Sequence, residues 1–544
     1  MLGLRALTAA SVGAAAVLAA GFAAADGHGD KPKYGGHFTY VIPSKAPPSL
    51  DAHRETTYGV IHPVRPYYST LLRVNPADPS SDVYVCDLCL GDVPEPTNGG
   101  KTYTFKLKSG VKFHDGTPLT SADVKASFDK IIFPPEGVSS ARKSFYMMVD
   151  SVTTPDASTV VFNLKYASSA FIPALAAPYN FIYSKAKLDA DIHWYEKNIL
   201  GSGPFILDEY QSGAQITGTK NPDYYLKGLP YLDRITGVFA NKESIQVQAL
   251  RGNRASAQFR GFPPKTRDDL VKALGDKATV QETDWNCVLL ATPNHSRKPF
   301  DDVRVRRALT LALDRWGGSE YLSKIAIVKT VGGIVYPKSK LAATKEELMQ
   351  LDGYKADLEA SRARARELLK EAGIDLSKTY ILNNRAVDQP YKVVGVWLLD
   401  QWRQIGLNFE QQVKPTGPFY ASLREKGDFD VSIDFNCQSI VNPPIDTSKY
   451  LSSDINPANY SRVVDRKMDE LYNDMLLEAD PAKQRVKMRT YEKYVLHDQV
   501  TQMITLWWFR TTVHRSHFKG WKISPSHYLG QALDTVWLDP DADK

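Results

Sequence analysis

Two side chains near the end of the chain have the chemistry to hold a small acidic molecule. Arg510 carries a planar guanidinium that can donate two parallel hydrogen bonds to one carboxylate. Trp508 lies two residues earlier, so on a strand its ring points to the same face of the sheet as Arg510. Trp507 points to the opposite face and is expected in the core. The pair therefore predicts a pocket for an anionic or aromatic organic molecule.

The sequence shows none of the common catalytic or metal-binding patterns. It contains no HExxH zinc motif, no GxSxG nucleophile elbow and no phosphate-binding GxxxxGK[S/T] loop. His514 and His517 are three residues apart, but they fall in a strand-like and turn-like segment and are expected to be ordinary histidines. The sequence thus predicts a protein that is not an enzyme and that holds no cofactor or metal.

The composition is that of a soluble globular protein and gives no support for a nucleic-acid partner. Of the 544 residues, 43% are hydrophobic and 24% are charged, and the formal net charge is +6. Basic and acidic residues are interleaved along the chain, so no large basic surface for nucleic acid is expected.

The first 25 residues have the pattern of a cleaved signal peptide. Arg5 is the only charged residue before Asp26, and residues 6–24 form an apolar, alanine-rich stretch. Small residues at the end of this stretch supply a cleavage site after Ala25. No later segment has the ~20 consecutive apolar residues that a membrane helix needs. The sequence predicts export to the periplasm.

The four cysteines are compatible with more than one pairing. In an oxidising compartment an even number of cysteines permits two disulfide bonds. The spacing of Cys86 and Cys89 allows either a small local disulfide or two free buried thiols. A bond between Cys287 and Cys437 is also compatible with the even count, and the sequence does not choose between these arrangements.

The elements that must position these side chains are clearest between residues 103 and 131. Apolar and polar residues alternate over 103–108 and again over 111–113, which predicts a two-stranded hairpin. Thr120 and Asp123 then have the spacing of a helix capping box. Apolar residues spaced i, i+4 and i+7 from Val124 predict a helix directly after this cap.

Several further motifs follow one another along the chain. They are YGGHFTY at residues 34–40, GSGPF at 201–205, NPDYY at 221–225, KPFDDVRVRRAL at 298–309 and ARELLKEAG at 365–373. Together with the segment at 103–131, they resemble the pattern of the family 5 extracellular solute-binding proteins of ABC transporters. This family contains periplasmic receptors for dipeptides, oligopeptides and nickel complexes. The resemblance extends over nearly the whole mature chain.

The resemblance implies an α/β protein with two lobes and a hinge between them, in which the lobes close over a bound ligand. It assigns the core of the first lobe to residues 34–66, 200–288 and 511–544. It assigns an extra subdomain of the first lobe to residues 67–199. The second lobe is then expected to consist of residues 289–510.

The resemblance also implies which segments approach the cleft between the lobes. The candidate ligand-binding residues in and near these segments are Ser44, Trp285, Asn436, Gln438, Trp508 and Arg510. Dipeptide receptors of the family place an aspartate here for the amino group of the peptide, whereas this chain has DFNCQSIVN at residues 434–442. Neutral amides suit hydroxyl, carbonyl or amide groups. We therefore expect a small organic ligand rather than a cationic dipeptide.

The function implied by the resemblance is that of an exported receptor. It would capture a solute, either peptide-like or a small organic molecule, and deliver it to the permease subunits of an ABC importer in the inner membrane. A monomer is expected. Two alternatives stay open: a secreted hydrolase, for which no catalytic set is found, and a chaperone-like or sensor protein on the same scaffold.

Overall fold

Three larger β-sheets organise the fold, and α-helices cover them. The structure is a computed structural model that describes residues 31–79, 83–478 and 480–542. The predicted signal peptide, residues 1–25, lies outside the described residues. Within the described ranges no helix is both long enough and apolar enough to cross a membrane.

The first of these sheets has five strands and mixed direction. The strand His37–Ile42 runs parallel to both of its neighbours, and the other two pairings are antiparallel. The spatial order of the strands is Ala257–Gln258, His37–Ile42, Arg234–Phe239, Gln215–Lys220 and Phe205–Gln211.

A smaller antiparallel sheet and two strand pairs accompany it. The order of the three-stranded sheet is Thr102–Lys106, Thr159–Leu164 and Val149–Asp156. The two pairs are Leu72–Val74 with Tyr84–Cys86, and Phe518–Lys519 with Trp537–Leu538.

The six-stranded sheet contains the two longest strands of the described chain. These strands, Ala278–Pro293 and Met503–Arg515, lie side by side in antiparallel register, with irregular pairing between Asp284 and Leu290. The order of this sheet is Val328–Thr330, Met503–Arg515, Ala278–Pro293, Val431–Cys437, Thr379–Arg385 and Asn408–Lys414.

Fifteen α-helices occur in the described residues. They are Tyr58–Val64, Ser121–Ile132, Phe171–Leu175, Lys185–Ala190, Glu243–Arg251, Pro264–Leu274, Val303–Leu311, Arg315–Leu322, Lys345–Leu348, Leu358–Glu371, Val393–Arg403, Thr416–Ala421, Pro443–Asp446, Arg466–Leu476 and Pro481–Lys493.

The buried apolar residues divide this architecture into two lobes. The five- and three-stranded sheets share one core, to which Phe38, Phe105 and Phe162 belong. The six-stranded sheet has a core on each face, because Leu289 packs on one side and Leu290 on the other. We call the part built on the first core the first lobe and the part built on the six-stranded sheet the second lobe. The predicted boundary residues of the domains stay a prediction.

The predicted hairpin at residues 103–113 is wrong. Thr102–Lys106 pairs instead with Thr159–Leu164, and residues 111–119 form a turn closed by a 2.9 Å hydrogen bond from Leu119 N to Val111 O. Alternation shows that one face of a segment is buried, but it does not identify the neighbouring strand.

The predicted capped helix is confirmed. Ser121–Ile132 begins directly after Thr120, whose backbone N–H donates to the Asp123 carboxylate at 2.8 Å. This contact satisfies one of the donors near the helix start.

Two disulfides are present: one joins cysteines 3 residues apart, and the other joins cysteines 150 residues apart. Cys86 is bonded to Cys89, and Cys287 is bonded to Cys437. Cys287 and Cys437 are directly opposite each other on the neighbouring strands Ala278–Pro293 and Val431–Cys437. The long disulfide therefore ties together two adjacent strands of the six-stranded sheet.

Candidate functional site

A small cavity of about 40 Å³ lies between the two lobes. Thr56, Arg142 and Tyr179 line it from the first lobe. Residues 434–439 form most of the opposite wall, with Lys449 and Tyr460 among the further lining residues from the second lobe. Both lobes therefore contribute polar and aromatic side chains to the wall of this cavity.

The two predicted amides lie together in the wall of this cavity. The backbone N–H of Gln438 donates to the Asn286 carbonyl at 3.2 Å, which fixes the chain just after the strand Val431–Cys437. Nε2 of Gln438 donates to Oδ1 of Asn436 at 2.6 Å. Nδ2 of Asn436 donates to the Asp446 carbonyl at 2.9 Å. The sheet and these bonds therefore hold both amides in place.

A buried ion pair lies in the same wall. Nζ of Lys449 donates to Oδ2 of Asp434 at 2.7 Å and also to the Ala458 carbonyl. Oδ1 of Asp434 is buried and accepts no hydrogen bond from the residues that the structure describes. Burial raises the pKa of Asp434 even though the Lys449 ammonium opposes this effect. Asp434, a lining residue of the cavity, thus keeps one buried acceptor oxygen without a donor.

The predicted tryptophans are buried next to each other at the junction of the lobes. The rings of Trp285 and Trp508 are perpendicular, with centroids 5.0 Å apart. Nε1 of Trp285 donates to Nδ1 of His527 at 2.8 Å. Trp507 packs in the core on the other face of the sheet, as the alternation predicts. Neither Trp285 nor Trp508 lines the 40 Å³ cavity.

Arg510 lies deeper than a ligand-contacting residue is expected to lie. It is fully buried, and its guanidinium donates to the carbonyls of Arg260 at 3.1 Å, Ser524 at 2.8 Å and Phe259. Burial lowers the pKa of Arg510 to about 9. In this position Arg510 holds the loop that carries Arg260.

Ser44 is separate from the other candidates. Its side chain packs against the start of the helix Tyr58–Val64, where a Cβ placed on Gly59 would lie 3.2 Å from the Ser44 hydroxyl. Ser44 does not line the 40 Å³ cavity. The structure thus brings Asn436 and Gln438 together at the cavity, and it brings Trp285, Trp508 and Arg510 together outside the cavity lining.

The sequence-based candidates omit Arg260. It follows the short strand Ala257–Gln258 and is 3% exposed. Oε1 of Gln258 accepts from the backbone N–H groups of Arg260 and Gly261, at 2.6 and 2.7 Å. Gly261 has φ +137°, and a Cβ there would approach the Thr511 carbonyl to 3.1 Å. The loop is therefore fixed by its own side chain and by a glycine.

The guanidinium of Arg260 is surrounded by aromatic rings and lacks polar partners. Its Cζ lies 5.0 Å from the ring centre of Tyr58 and 5.2 Å from that of Trp508. Its Nε and Nη2 are buried and donate to no acceptor among the described residues. Such a group is costly to bury unless something pairs with it.

Arg385 approaches the same rings from the second lobe. It is fully buried, and its Cζ lies 5.6 Å from the centre of the Tyr58 ring. Nε donates to Thr416 Oγ1 at 3.1 Å and Nη2 to Thr57 Oγ1 at 3.4 Å. Nη1 is buried and has no acceptor in the described chain. The bond to Thr57 also connects the two lobes.

The strand topology, rather than the sequence pattern, points to these arginines. Each stands at or just beyond the carboxyl end of a strand that pairs in parallel with a neighbour, Ala257–Gln258 for Arg260 and Thr379–Arg385 for Arg385. Ligands of open α/β sheets bind at the carboxyl ends of such strands. The signal is usable only when the parallel pairing is known, and alternation alone does not provide it.

Comparisons with known proteins agree with this architecture. Residues 90–458 match the family model "Bacterial extracellular solute-binding proteins, family 5 Middle". The glutathione-binding protein GsiB of Escherichia coli K12 is 30% identical over 346 residues, which are 61% of this chain and 62% of GsiB. The alignment therefore spans less than two thirds of that relative.

Solved structures show the same fold over almost the whole chain. The binding protein AgaA of A. tumefaciens R10, in complex with agropinic acid, has a TM-score of 0.81 at 21% identity and covers 93% of this chain and 99% of its own. The oligopeptide-binding protein AppA of Bacillus subtilis, in complex with a nonapeptide, has a TM-score of 0.80 at 20% identity, with coverages of 94% and 100%.

The sheets, the cores and these likenesses define the class as the two-lobed periplasmic binding proteins, so the predicted fold is confirmed. Because the family model matches more than half of the chain, the chain belongs to the bacterial extracellular solute-binding proteins of family 5. The predicted family is thereby also confirmed. The members and relatives found are binding proteins.

Proposed function

We propose that this chain is the exported solute-binding receptor of an ABC importer and captures one solute molecule between its lobes. The cavity lined by both lobes is the observation that carries the proposal. A ligand that contacts both walls stabilises the closed arrangement more than an open one, which is the differential affinity that drives closure. Family membership supports the same role.

The proposal includes export and a membrane partner. A signal peptide at residues 1–25 would direct the chain to the periplasm. There a monomeric receptor would present its solute to the permease subunits. The predicted lobe boundaries at residues 66, 199, 288 and 510 belong to the same proposal.

The proposed ligand is a small organic molecule. Asn436 and Gln438 supply neutral amides in the cavity wall, where a hydroxyl, carbonyl or amide of the ligand can bind. Trp285 and Trp508, which pack against each other, are proposed to add apolar area for the ligand. Relatives described as binding glutathione and agropinic acid support a compact ligand, and the nonapeptide complex of AppA marks the larger alternative.

A thermal-shift screen of the mature protein tests the proposal. The panel contains glutathione, dipeptides, opines, aromatic acids, sugars and metal chelates. A ligand at about 100 times its Kd adds roughly 2.7 kcal/mol to the free energy of unfolding, which moves the melting temperature visibly.

A matched pair of variants locates the binding. Gln438→Ala is expected to weaken the shift, because the cavity wall loses an amide. Gln350→Ala removes an exposed amide elsewhere in the second lobe and is expected to leave the shift unchanged. The receptor proposal fails if no solute gives a saturable shift.

A further inference from the structure

Arg260 and Arg385 are two buried cations from opposite lobes that share one aromatic ring. Their Cζ atoms lie 5.0 and 5.6 Å from the centre of the Tyr58 ring. We propose that these two residues, the arginine pair, bind two acidic groups of one small organic ligand, such as a dicarboxylate. The inference rests on the proposed receptor function, because it names the ligand class of the same cleft.

The arginine pair differs from three other arginines of the protein interior, Arg65, Arg73 and Arg315. Arg65 has the Asp87 carboxylate at 3.4 Å, and Arg73 has the Asp534 carboxylate at 2.7 Å. Arg315 has no acidic partner, but its guanidinium donates to the carbonyls of Ile504, Gly353 and Thr310. In the part of the chain that the structure describes, neither Arg260 nor Arg385 forms an ion pair.

The incomplete hydrogen bonding is what points to a ligand. Arg260 keeps two buried nitrogens without an acceptor and Arg385 keeps one, all of them N–H donors. Buried charges in proteins are paired or hydrogen-bonded, because an unpaired charge loses its hydration without compensation. Acidic oxygens from a ligand would supply acceptors for all three nitrogens and counter-charges for both guanidinium groups.

The acidic side chains of the neighbourhood are already engaged. Burial raises the pKa of Glu243 and the positive charge of Arg260 opposes this rise, but the two residues form no ion pair. The Glu243 carboxylate accepts a hydrogen bond from the Thr266 hydroxyl. Glu55 contacts Arg424 at 3.4 Å and Arg54 at 3.6 Å. Among the described residues, no carboxylate therefore forms an ion pair with either member of the arginine pair.

Two acidic groups fit this geometry better than one. The two cations come from different lobes, so a ligand with an acidic group on each arginine would join the lobes directly. Binding both would couple ligand charge to closure, because only the closed form brings the cations to one ring. A ligand with a single carboxylate would leave one guanidinium unpaired.

Aromatic side chains enclose the arginine pair and exclude water from it. Arg385 lies 5.9 Å from the ring centre of Tyr391 and 5.4 Å from that of Tyr420. Arg260 lies 5.9 Å from Trp285. Ring faces stabilise the cations in part, and a dry surrounding strengthens a charged hydrogen bond once an anion is present.

A series of simple acids tests the inference. The probes are the α,ω-dicarboxylates from malonate to adipate, with acetate and butyrate as monocarboxylates, all at one ionic strength. At least one dicarboxylate is expected to raise the melting temperature more than either monocarboxylate. Arg260→Met and Arg385→Met are each expected to weaken its binding at least ~10-fold.

The ligand-free proteins provide a second readout. Replacing an unpaired buried charge with an apolar side chain removes a burial cost, so Arg260→Met is expected to melt no lower than the wild type. Arg315→Met removes a buried arginine that is fully hydrogen-bonded. It is expected to melt lower and to keep the shift with dicarboxylates. If Arg260→Met does not fold, Arg260→Lys is used instead. This variant keeps the positive charge but cannot donate two parallel hydrogen bonds to one carboxylate.

Three results would overturn the inference, two of them from the dicarboxylate series. One is that no dicarboxylate of the series exceeds the monocarboxylates. The other is that the dicarboxylate shift persists in both methionine variants. A neutral solute that binds the wild type and Arg260→Met equally would refute the arginine pair while leaving the receptor function intact. The absence of any saturable solute would refute the receptor function itself.

Discussion

At the residue scale, the cleft between the lobes concentrates buried polar groups whose hydrogen bonding is incomplete. Besides the arginine pair, Oδ1 of Asp434 and Oδ1 of Asp446 are buried and accept nothing from the described residues. Such groups lower the stability of the folded protein unless a partner satisfies their hydrogen-bonding capacity. Incomplete hydrogen bonding of this kind is what a site selected for ligand binding, rather than for stability alone, would show.

Asp446 gives a prediction for pH dependence. Its Oδ2 accepts from Asn286 at 3.1 Å and from the Asn442 N–H at 3.2 Å, but burial dominates and raises the pKa well above its usual 3.8. The folded state therefore holds the proton more tightly than the unfolded state. The proton on Asp446 therefore contributes its full stabilisation below pH 3.8, and this contribution is lost as the pH rises through the pKa of the folded state.

Asp446→Asn should remove this pH dependence. Relative to the wild type, the variant is expected to gain stability as the pH rises from 4 to 7, by at most about 1.4 kcal/mol per pH unit. Urea unfolding at several pH values measures the difference. Asp301→Asn, on an exposed position, is the control. Parallel pH curves for Asp446→Asn and the wild type would refute the assignment.

The arginines also show where residue-level prediction from the sequence ends. Their spacing predicts Trp508 and Arg510 on one strand, and the structure has them on one strand, Met503–Arg515. The sequence does not show that three carbonyls take the Arg510 donors. Those carbonyls come from loops about 250 and 14 residues away, and such partners are set by tertiary packing. Arg260, on one of these loops, was missed for the same reason.

At the element scale, two long strands and one disulfide support the cleft. Ala278–Pro293 pairs with Met503–Arg515 on one side and Val431–Cys437 on the other. The Cys287–Cys437 bond lies at the end of the latter strand, directly before Gln438. The disulfide therefore fixes the point at which the chain enters the cavity wall.

The two disulfides are expected to contribute unequally to stability. Cys287 and Cys437 are separated by 150 residues, whereas Cys86 and Cys89 are separated by 3. Closing the longer loop restricts the unfolded chain more. The double variant Cys287→Ala/Cys437→Ala should lose about 2–4 kcal/mol, clearly more than Cys86→Ala/Cys89→Ala. Chemical denaturation of the oxidised proteins measures both, and an equal loss would contradict the expectation.

Elements were more predictable than their pairing. The capped helix Ser121–Ile132 and the strand Met503–Arg515 follow from local patterns of apolar and polar residues. The hairpin at 103–113 failed because strand partners are chosen by long-range packing. The local sequence does not determine which strand pairs with Thr102–Lys106.

At the scale of the whole molecule, contacts between the lobes are expected to control closure. Glu55 of the first lobe is fully buried and contacts Arg424 of the second lobe at 3.4 Å. Arg385 reaches Thr57 across the same boundary. These contacts exist only when the lobes meet, so they contribute to the free energy of the closed state and not to that of an open one.

Glu55→Gln should therefore weaken ligand binding without a direct contact to ligand. Removing the carboxylate leaves Arg424 without its carboxylate partner in the closed form, and ~10- to 100-fold weaker binding is expected. Glu320→Gln, on the exposed surface of the second lobe, should have no effect. Calorimetric titration with the best solute from the screen measures both. Unchanged affinity in Glu55→Gln would mean that closure does not depend on this pair.

The distance between the lobes, measured with and without solute, tests the receptor account most directly. Spin labels at Phe133→Cys in the first lobe and Val396→Cys in the second occupy positions that are 45% and 61% exposed. The account predicts that a stabilising solute shortens and narrows the distance distribution between them, and that Glu55→Gln reduces this effect. A solute that binds with unit stoichiometry but leaves the distribution unchanged would contradict capture by closure of the two lobes.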